Sequence, residues 1–310
     1  MPRMHWHRIT TQPTRLTAIQ QPTNQPTYLA KVKQGEKTIK AQTKRLITQI
    51  VFFLLQNPFL KNFIDGVIYQ GRMKMICTPG LNCYSCPAAV LSCPVGAMQL
   101  FFSGARHSIG LFVTGFVMSI GVVFGRLICG YVCPMGLLQD LLYRIKTKKR
   151  LMQLKYLRYV KYLVLILFVV LFPMLFLHEL SGLGEPWFCK YICPSGTVFG
   201  AIPLLLTNNF LRDLAGTLLI AKLIIAGALL SSAVFIYRPF CRILCPLGAI
   251  YALFNKIAFL KMRCDKEKCT SCNECAKVCQ IMLEPARQPD SPECVRCGDC
   301  KTACKSKALR

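Results

Sequence analysis

The cysteines of this 310-residue chain recur in a short pattern, in which two thiols four residues apart are followed by proline, a variable residue and glycine. The three copies begin at Cys129, Cys189 and Cys241. Proline favours the first turn of a helix, and a helix N-terminus stabilises the thiolate form that binds metal. One copy could reflect packing, but three copies predict metal ligands, with iron–sulfur clusters as the leading interpretation.

The C-terminal cysteines follow a second, tandem pattern. Both runs have the spacing Cys-x2-Cys-x2-Cys-x3-Cys. This is the spacing of a bacterial two-cluster ferredoxin, in which the fourth cysteine of each run binds the other cluster. The predicted ligand sets are Cys269, Cys272, Cys275 and Cys304 for one [4Fe–4S] cluster, and Cys294, Cys297, Cys300 and Cys279 for the second.

Three residues near these runs qualify the prediction. Gln280 and Lys305 stand where a proline usually follows the fourth cysteine, so the potentials would differ from those of a soluble ferredoxin. Cys264 is left over as a structural or free thiol. Two zinc ribbons are the alternative interpretation, since zinc also binds four thiolates.

Composition places much of the chain in lipid. The hydrophobic share is 53% and the formal charge is +26, with 19 cysteines. Such a charge could indicate nucleic acid, but the basic residues flank apolar runs, which favours a bilayer and no nucleic-acid partner. The N-terminus has no apolar signal segment, so disulfides are a less probable use of the thiols than metal.

Four apolar runs are long enough to be candidate transmembrane spans. They are residues 46–69, 109–128, 156–177 and 214–237. The first is the weakest, because polar and charged residues interrupt it. Short helices are expected after the Cys-Pro motifs, for example over residues 134–146. Residues 1–45 are predicted to be a mobile basic tail, residues 46–260 the transmembrane domain, and residues 261–310 the ferredoxin domain.

The charges of the loops predict an orientation. The loop after the second span has six basic residues and one acid, Asp140, and is predicted to be cytoplasmic. The loop after the third span is more acidic and is predicted to face outward. If the first run spans, the N-terminus and the C-terminal domain are both cytoplasmic.

This topology divides the membrane cysteines into two groups. Cys129, Cys133, Cys241 and Cys245 fall at the cytoplasmic ends of spans and are predicted to hold one [4Fe–4S] cluster. The outer group comprises Cys77, Cys83, Cys86, Cys93, Cys189 and Cys193. The outer and inner groups would then lie near opposite faces of the hydrocarbon core, about 30 Å thick.

A repeat relates the two groups. Cys93-Pro and Cys193-Pro each precede a span that ends in Arg-x-x-Cys-x-x-x-Cys-Pro, so an outer motif, a span and an inner motif occur twice. Ala89 stands at the position matching Cys189. Cys83 or Cys86 must therefore substitute as a ligand of any outer cluster, and a remaining pair could form a disulfide.

Other residues have more than one interpretation. His107 and His178 are either proton acceptors for quinol oxidation or interfacial residues without a task, and a haem bound by both histidines is the third alternative. Lys222 either marks a functional site within the membrane or extends to the membrane surface. Arg126 and Arg238, at equal offsets before Cys129 and Cys241, either donate hydrogen bonds to cluster sulfurs or anchor the membrane boundary.

The fold class predicted is mainly α, with a polytopic helical membrane domain of about four spans followed by a small α+β two-cluster ferredoxin domain. Clustered Cys-x3-Cys-Pro motifs joined to a C-terminal double-cluster domain resemble the NapH-type quinol dehydrogenase membrane subunits and the membrane part of NosR-type proteins. The resemblance covers roughly residues 46–310.

The resemblance implies a multi-pass protein of the inner membrane that passes electrons between the quinone pool and a partner redox protein. Its cofactors would be two [4Fe–4S] clusters in the ferredoxin domain and one or two in the membrane domain, with quinone as a substrate. The sequence leaves open whether the chain is an enzyme subunit or only a carrier. The alternative functions are an iron–sulfur redox sensor and a maturation factor for another metalloenzyme.

Overall fold

The computed structural model describes residues 28–104, 107–150, 156–176, 184–213 and 216–310, and these residues are mainly helical. The α-helices are α1 (Tyr28–Gln56), α2 (Asn62–Asp65), α3 (Pro94–Phe102), α4 (His107–Phe124), α5 (Leu127–Tyr131), α6 (Pro134–Tyr143), α7 (Val160–Val164), α8 (Phe172–Leu175), α9 (Ile202–Thr207), α10 (Asn209–Asp213), α11 (Thr217–Phe235), α12 (Pro239–Ile243), α13 (Pro246–Phe254), α14 (Glu274–Lys277) and α15 (Asp299–Ala303). The 3-10 helices are Arg72–Met75 and Leu157–Tyr159, and the π-helical segments are Leu165–Leu171, Phe188–Ile192 and Gly196–Ala201.

Two helices in the described part of the chain are long and apolar enough to cross a membrane: Leu157–Leu175, which includes α7 and α8, and α11. Only 22% and 11% of their apolar windows are buried, so most of their side chains face outward. The apolar parts of α4 and of the helix ending at Thr207 are shorter. Two of the four predicted spans therefore have the length that a span requires.

The first predicted span, residues 46–69, is not a continuous helix. α1 ends at Gln56, and the separate helix α2 begins at Asn62. Pro58 lies in the break, where proline removes a backbone donor and restricts the residue before it. The helix begins at Tyr28, so the part of the predicted mobile tail from residue 28 to residue 45 is helical. The rest of that tail, residues 1–27, lies outside the described residues.

The Cys-Pro motifs begin short helices, as their prolines predict. α3, α6 and α13 each start at the motif proline, with Cys93, Cys133 and Cys245 respectively at the preceding, extended position. A proline fits the first helical position because its missing N–H would have no helical partner there. The motif cysteines are thereby fixed at helix N-termini.

One apolar core contains the inner cysteines and four of the six outer ones, whereas Cys83 and Cys86 belong to a separate small cluster. Its buried members come from the loop before α3 (Leu81), from α3 itself, from α6 (Met135) and from α13 (Leu247 and Tyr251). Cys129, Cys133, Cys193, Cys241 and Cys245 are buried in this core, and Cys77, Cys93 and Cys189 pack against it.

The C-terminal segment closes on itself and docks against the inner motifs. Backbone hydrogen bonds join Arg263 to Arg310 at 2.9 and 3.0 Å, and Cys264 and Leu309 form an isolated antiparallel bridge. The other isolated bridge in the described residues joins Cys77 and Ser92, and these residues contain no longer strand. The β part of the predicted α+β domain is thus reduced to a single bridge.

Candidate iron–sulfur centres

The inner motifs bring four buried thiols together. Cys245 lies within electrostatic range of Cys241, Cys129 and Cys133. Cys129 lies in α5 and Cys133 directly before α6, and Cys241 lies in α12 and Cys245 directly before α13. All four side chains are less than 10% exposed. The inner site is therefore a water-poor group of four sulfurs, the ligand number of a [4Fe–4S] cluster.

Gln139 supports the inner site from α6. Its side-chain amide donates a hydrogen bond to Cys241 Sγ at 3.1 Å and accepts one from the Phe240 backbone N–H at 3.2 Å. The side chain is fully buried. Gln139 thus fixes Cys241 in position and supplies a dipole directed at its sulfur.

The same arrangement occurs a second time. Gln99 on α3 donates to Cys189 Sγ at 3.1 Å and accepts from the Phe188 backbone N–H at 2.9 Å. Gln99 follows Cys93 by six residues, just as Gln139 follows Cys133. The outer site therefore repeats the construction of the inner one.

The outer site assembles four thiols from three parts of the chain. Cys193 lies within electrostatic range of Cys189 and Cys83, and Cys93 within range of both Cys189 and Cys193. The sulfur of Cys83 is 3.6 Å from the position a Cβ would take at Gly196. Ala89, at the position without a cysteine, is fully buried beside Cys83. Cys83 thus occupies the fourth place.

Cys86 and Cys77 have other neighbours. Cys86 Sγ donates to Asn57 Oδ1 at 3.7 Å, and the motif cysteine that lies within its electrostatic range is Cys83. Cys77 Sγ is 3.5 Å from Ser92 Oγ. Of the two candidates for the fourth outer ligand, the geometry therefore favours Cys83 over Cys86.

The outer and inner sites are neighbours, which corrects the predicted separation across the membrane. The Leu81 backbone N–H donates to Cys133 Sγ at 3.4 Å. Tyr251 is fully buried and within electrostatic range of Cys133 in the inner site and Cys93 in the outer site. The residues between Cys77 and Cys93 fold back into the core instead of lying at the far surface, which the loop-charge argument could not detect.

The C-terminal cysteines line two cavities. One is lined by Cys279, Cys294, Cys297 and Cys300. The other is lined by Cys269, Cys272, Cys275, Cys304 and the additional thiol of Cys264. Each cavity thus takes three cysteines from one run and one from the other.

Cys264 and Cys272 are further features of the cavity lined by Cys304. Cys264 lies within electrostatic range of Cys269 and Cys275. Cys272 is exposed, whereas Cys275 is buried. The Cys304 cavity therefore reaches the protein surface.

The cysteine sites contact one another in order along the molecule. Cys275 and Cys300, from the two C-terminal cavities, share one apolar cluster. Tyr131, next to the inner motif, donates through its hydroxyl to the Cys297 carbonyl at 3.3 Å. A Cβ at Gly130 would lie 2.7 Å from the Val295 carbonyl oxygen, so the two backbones are in close contact there.

Arg126 and Arg238 cross between the two inner motifs. Arg126 Nη2 donates to the Cys241 carbonyl at 3.0 Å, and Arg238 Nη1 donates to the Cys129 carbonyl at 2.6 Å. Both side chains are fully buried. Each arginine therefore binds the backbone of the opposite motif.

Each buried arginine has a carboxylate partner. Arg238 pairs with Asp140 at 2.5 Å, and Arg126 pairs with Glu293 at 3.2 Å. Glu293 also pairs with Lys161 at 2.6 Å. Burial alone would raise the pKa of both acids, but the neighbouring cations hold the pKa of Asp140 and that of Glu293 below their ordinary values. Both acids therefore stay ionised at neutral pH.

Three observations bear on whether these residues fit iron–sulfur clusters. Arg126 Nε is buried and has no hydrogen-bond partner, so the inner site has a donor available beside its thiols. Burial raises the pKa of Cys297 to about 12, so a nearby cation is needed to keep its thiolate. Among the described side chains, no three His, Cys, Asp or Glu could hold a single metal ion. A [4Fe–4S] cluster instead binds each thiolate at a different iron, around a cavity.

Lys222 reaches the outer site from α11. Its ammonium group donates to the Cys189 carbonyl at 3.3 Å. His178 lies outside the described residues, and so does the side chain of His107, the residue at which α4 begins. The predicted roles of the two histidines therefore remain predictions.

Sequence reasoning missed several residues that support the sites. They are Arg45, Gln49, Gln99, Gln139, Tyr251 and Glu293. A signal for two of them existed, because Gln99 and Gln139 have equal offsets from a Cys-Pro cysteine. Glu293 shows no such regularity, and its pairing with Lys161 over 132 residues depends on the tertiary fold.

Comparison with known proteins identifies the repeated unit. A family model described as a 4Fe-4S binding domain matches three stretches, residues 107–151, 163–207 and 218–264. Each stretch contains one Cys-x3-Cys-Pro motif. No solved structure matches the chain.

Three relatives illustrate the similarity. An uncharacterized protein of Methanocaldococcus jannaschii is 31% identical over 70% of this chain and 84% of its own length. The ferredoxin-type protein NapH of Haemophilus influenzae is 26% identical over 63% of this chain and 64% of its own. The methylamine utilization ferredoxin-type protein MauN of Methylobacillus flagellatus is 26% identical over 61% of each chain.

Proposed function

Because this chain belongs to the family of ferredoxin-type iron–sulfur electron transport proteins, as its motifs predict, we propose that it relays electrons between the membrane quinol pool and a partner redox protein. The proposed route of the electrons comprises four sites: the two C-terminal sites, the inner site and the outer site. Each site would hold one [4Fe–4S] cluster.

The observation that carries the proposal is the continuous row of four cysteine groups. The first C-terminal group, which includes Cys304, is partly exposed and adjoins the second group. The second adjoins the inner site at Gly130, and the inner site adjoins the outer site at Leu81. A row of this kind suits one-electron carriers, whose rate of exchange depends on close approach.

The residues around each group supply what such a carrier needs. When bound, a cluster would accept and release one electron at a potential set by burial and by hydrogen bonds to sulfur. Gln99 and Gln139 donate those hydrogen bonds at two sites. The surrounding apolar core excludes water. The buried cations Arg126 and Arg238 lie within electrostatic range of Cys129, and each is also paired with a carboxylate.

The membrane location is part of the proposal. Leu157–Leu175 and α11 have the length and composition of spans, and their apolar side chains mostly face outward. The basic loop after α6 supports a cytoplasmic position for the C-terminal sites, by the excess of lysine and arginine found on that side. A multi-pass protein of the inner membrane, in contact with the quinone pool, fits these features.

The test measures iron and acid-labile sulfide on anaerobically purified protein, with EPR after reduction by a quinol analogue and then by dithionite. Four loaded sites give about sixteen irons per chain, and Cys245→Ser should remove about four. Reduction of the clusters by quinol on a catalytic timescale is the expected result.

Two outcomes would overturn parts of the proposal. About eight irons, unchanged in Cys245→Ser, would restrict clusters to the C-terminal sites. Full loading without any reaction with quinol would instead favour a redox sensor or a maturation factor, neither of which needs quinol turnover.

A further inference from the structure

A groove at the exposed end of the row is lined by lysines from two parts of the chain. Lys40 and Lys44 come from α1, and Lys301, Lys305 and Lys307 come from the C-terminal segment. All five side chains are exposed. Because the two groups are contributed by elements far apart in sequence, the fold creates a basic surface that neither segment has alone.

Acidic residues do not offset this charge within the groove. None of its lining residues is Asp or Glu. Asp299, at the start of the adjacent helix α15, is buried and lies 3.7 Å from Arg45. Glu274 of α14 pairs with Lys277. The groove therefore has five lysines and no acidic residue in its lining.

The groove is directly connected to a cysteine site. Cys304 lines both the lysine groove and the cavity shared by Cys269, Cys272 and Cys275. The contacts with the inner motifs are made from the opposite part of the segment, around Val295 and Cys297. A molecule seated in the groove would thus be beside the outermost site of the row.

We propose that the lysine groove is the docking surface for an acidic protein that carries single electrons, and that exchange takes place beside Cys304. This rests on the proposed electron relay and names the chemistry of its partner. Lysines spread over two elements match the dispersed carboxylates of a protein surface. Forked, bidentate recognition of a phosphate favours arginine, and none of the lining residues of the groove is an arginine.

The test measures the dissociation constant of an acidic flavodoxin for the full-length protein in nanodiscs of uncharged lipid. Lys40→Glu combined with Lys44→Glu should weaken binding about tenfold at low ionic strength, and the difference should shrink in high salt. These two lysines are remote in sequence from every cysteine. Lys40→Arg with Lys44→Arg should restore binding.

The matched control is Lys146→Glu with Lys148→Glu, which makes the same charge change at exposed positions after α6. Binding by this control should change less than twofold. EPR spectra and dithionite reduction should be the same in all variants, which shows that the cluster sites are intact.

Three results would overturn the docking proposal. Equal weakening by test and control variants would mean that only overall charge matters. Unchanged affinity with a shifted midpoint potential would mean that the lysines balance the charge of the nearby cluster. If the Lys40→Glu, Lys44→Glu variant binds separate nanodiscs of anionic lipid less well than the unchanged protein but binds flavodoxin equally well, the lysines contact lipid. If the affinities change as predicted but quinol does not reduce the clusters, only the quinol relay is rejected and the docking proposal stands.

Discussion

At the scale of single residues, Gln99 and Gln139 each donate a hydrogen bond to a cysteine sulfur. Each amide is held between a cysteine sulfur and a backbone N–H, so its orientation is determined by two partners. A hydrogen bond to sulfur stabilises the more negative, reduced form of a cluster. The two glutamines are therefore positioning residues that also set potential.

Replacement of Gln139 by leucine should lower the midpoint potential of one membrane cluster by about 40 mV, equivalent to about 1 kcal/mol for one electron. The variant loses the donor to Cys241 and keeps a similar volume. Potentiometric EPR checks the shift. Gln99→Leu serves as the matched control and should change a different signal, whereas unchanged potentials in both variants would show that neither amide tunes a cluster.

The outer site gives a second prediction at this scale, because Cys83 and Cys86 are near in sequence but differ in surroundings. Cys83→Ser should remove about four irons per chain, and Cys86→Ser should leave the iron content unchanged. Iron and sulfide analysis distinguishes them. The reverse result would assign the fourth place to Cys86 and contradict the placement of Cys83 beside Gly196.

The packing of α5 against the C-terminal segment depends on Gly130, which lies where the two meet. The carbonyl of Val295 would be 2.7 Å from a Cβ at this position, and it belongs to backbone that cannot rotate away. By contrast, Gly227 in α11 has no atom within 4 Å of its Cβ position. Gly130 therefore permits the contact between the inner site and the second C-terminal site.

Gly130→Ala should destabilise the protein by about 1–3 kcal/mol, since the added methyl group forces the two backbones apart. Gly227→Ala should be neutral or slightly stabilising, because alanine favours helix more than glycine does. Thermal unfolding in detergent compares the variants. If the midpoint temperature of unfolding is the same for Gly130→Ala and the unchanged protein, the close contact between Gly130 and Val295 is not present.

The helices show what sequence could and could not predict. The Cys-Pro prolines correctly indicated the starts of α3, α6 and α13, because a proline has a local conformational effect. The role of α1 was missed. Gln49 and Gln56 on α1 donate to the carbonyls of Gly130 and Val132, and no local pattern records a contact over more than 70 residues.

At the scale of the whole molecule, the four cysteine groups form one row with the lysine groove at its end. Cys133 is central, because it belongs to the inner site and accepts a hydrogen bond from the loop of the outer site. The ligand spacings indicated each group separately. Their order became visible only in three dimensions, since loop charges suggested two membrane faces where the chain folds into one core.

Cys133→Ser should interrupt this row. The two C-terminal clusters should still be reduced by dithionite, whereas exchange between them and the outer site should slow by at least about tenfold, because electron transfer weakens with distance. Freeze-quench EPR measures the exchange. An unchanged rate in protein that has lost about four irons would mean that electrons bypass the inner site.

The ion group of Glu293, Arg126 and Lys161 also has a consequence for the order of assembly. Lys161 is fully buried in a predicted span, yet its carboxylate partner is made 132 residues later, near the end of the chain. A buried cation without its partner is strongly unfavourable. The membrane helices therefore cannot reach their final packing during synthesis until the segment that carries Glu293 has emerged.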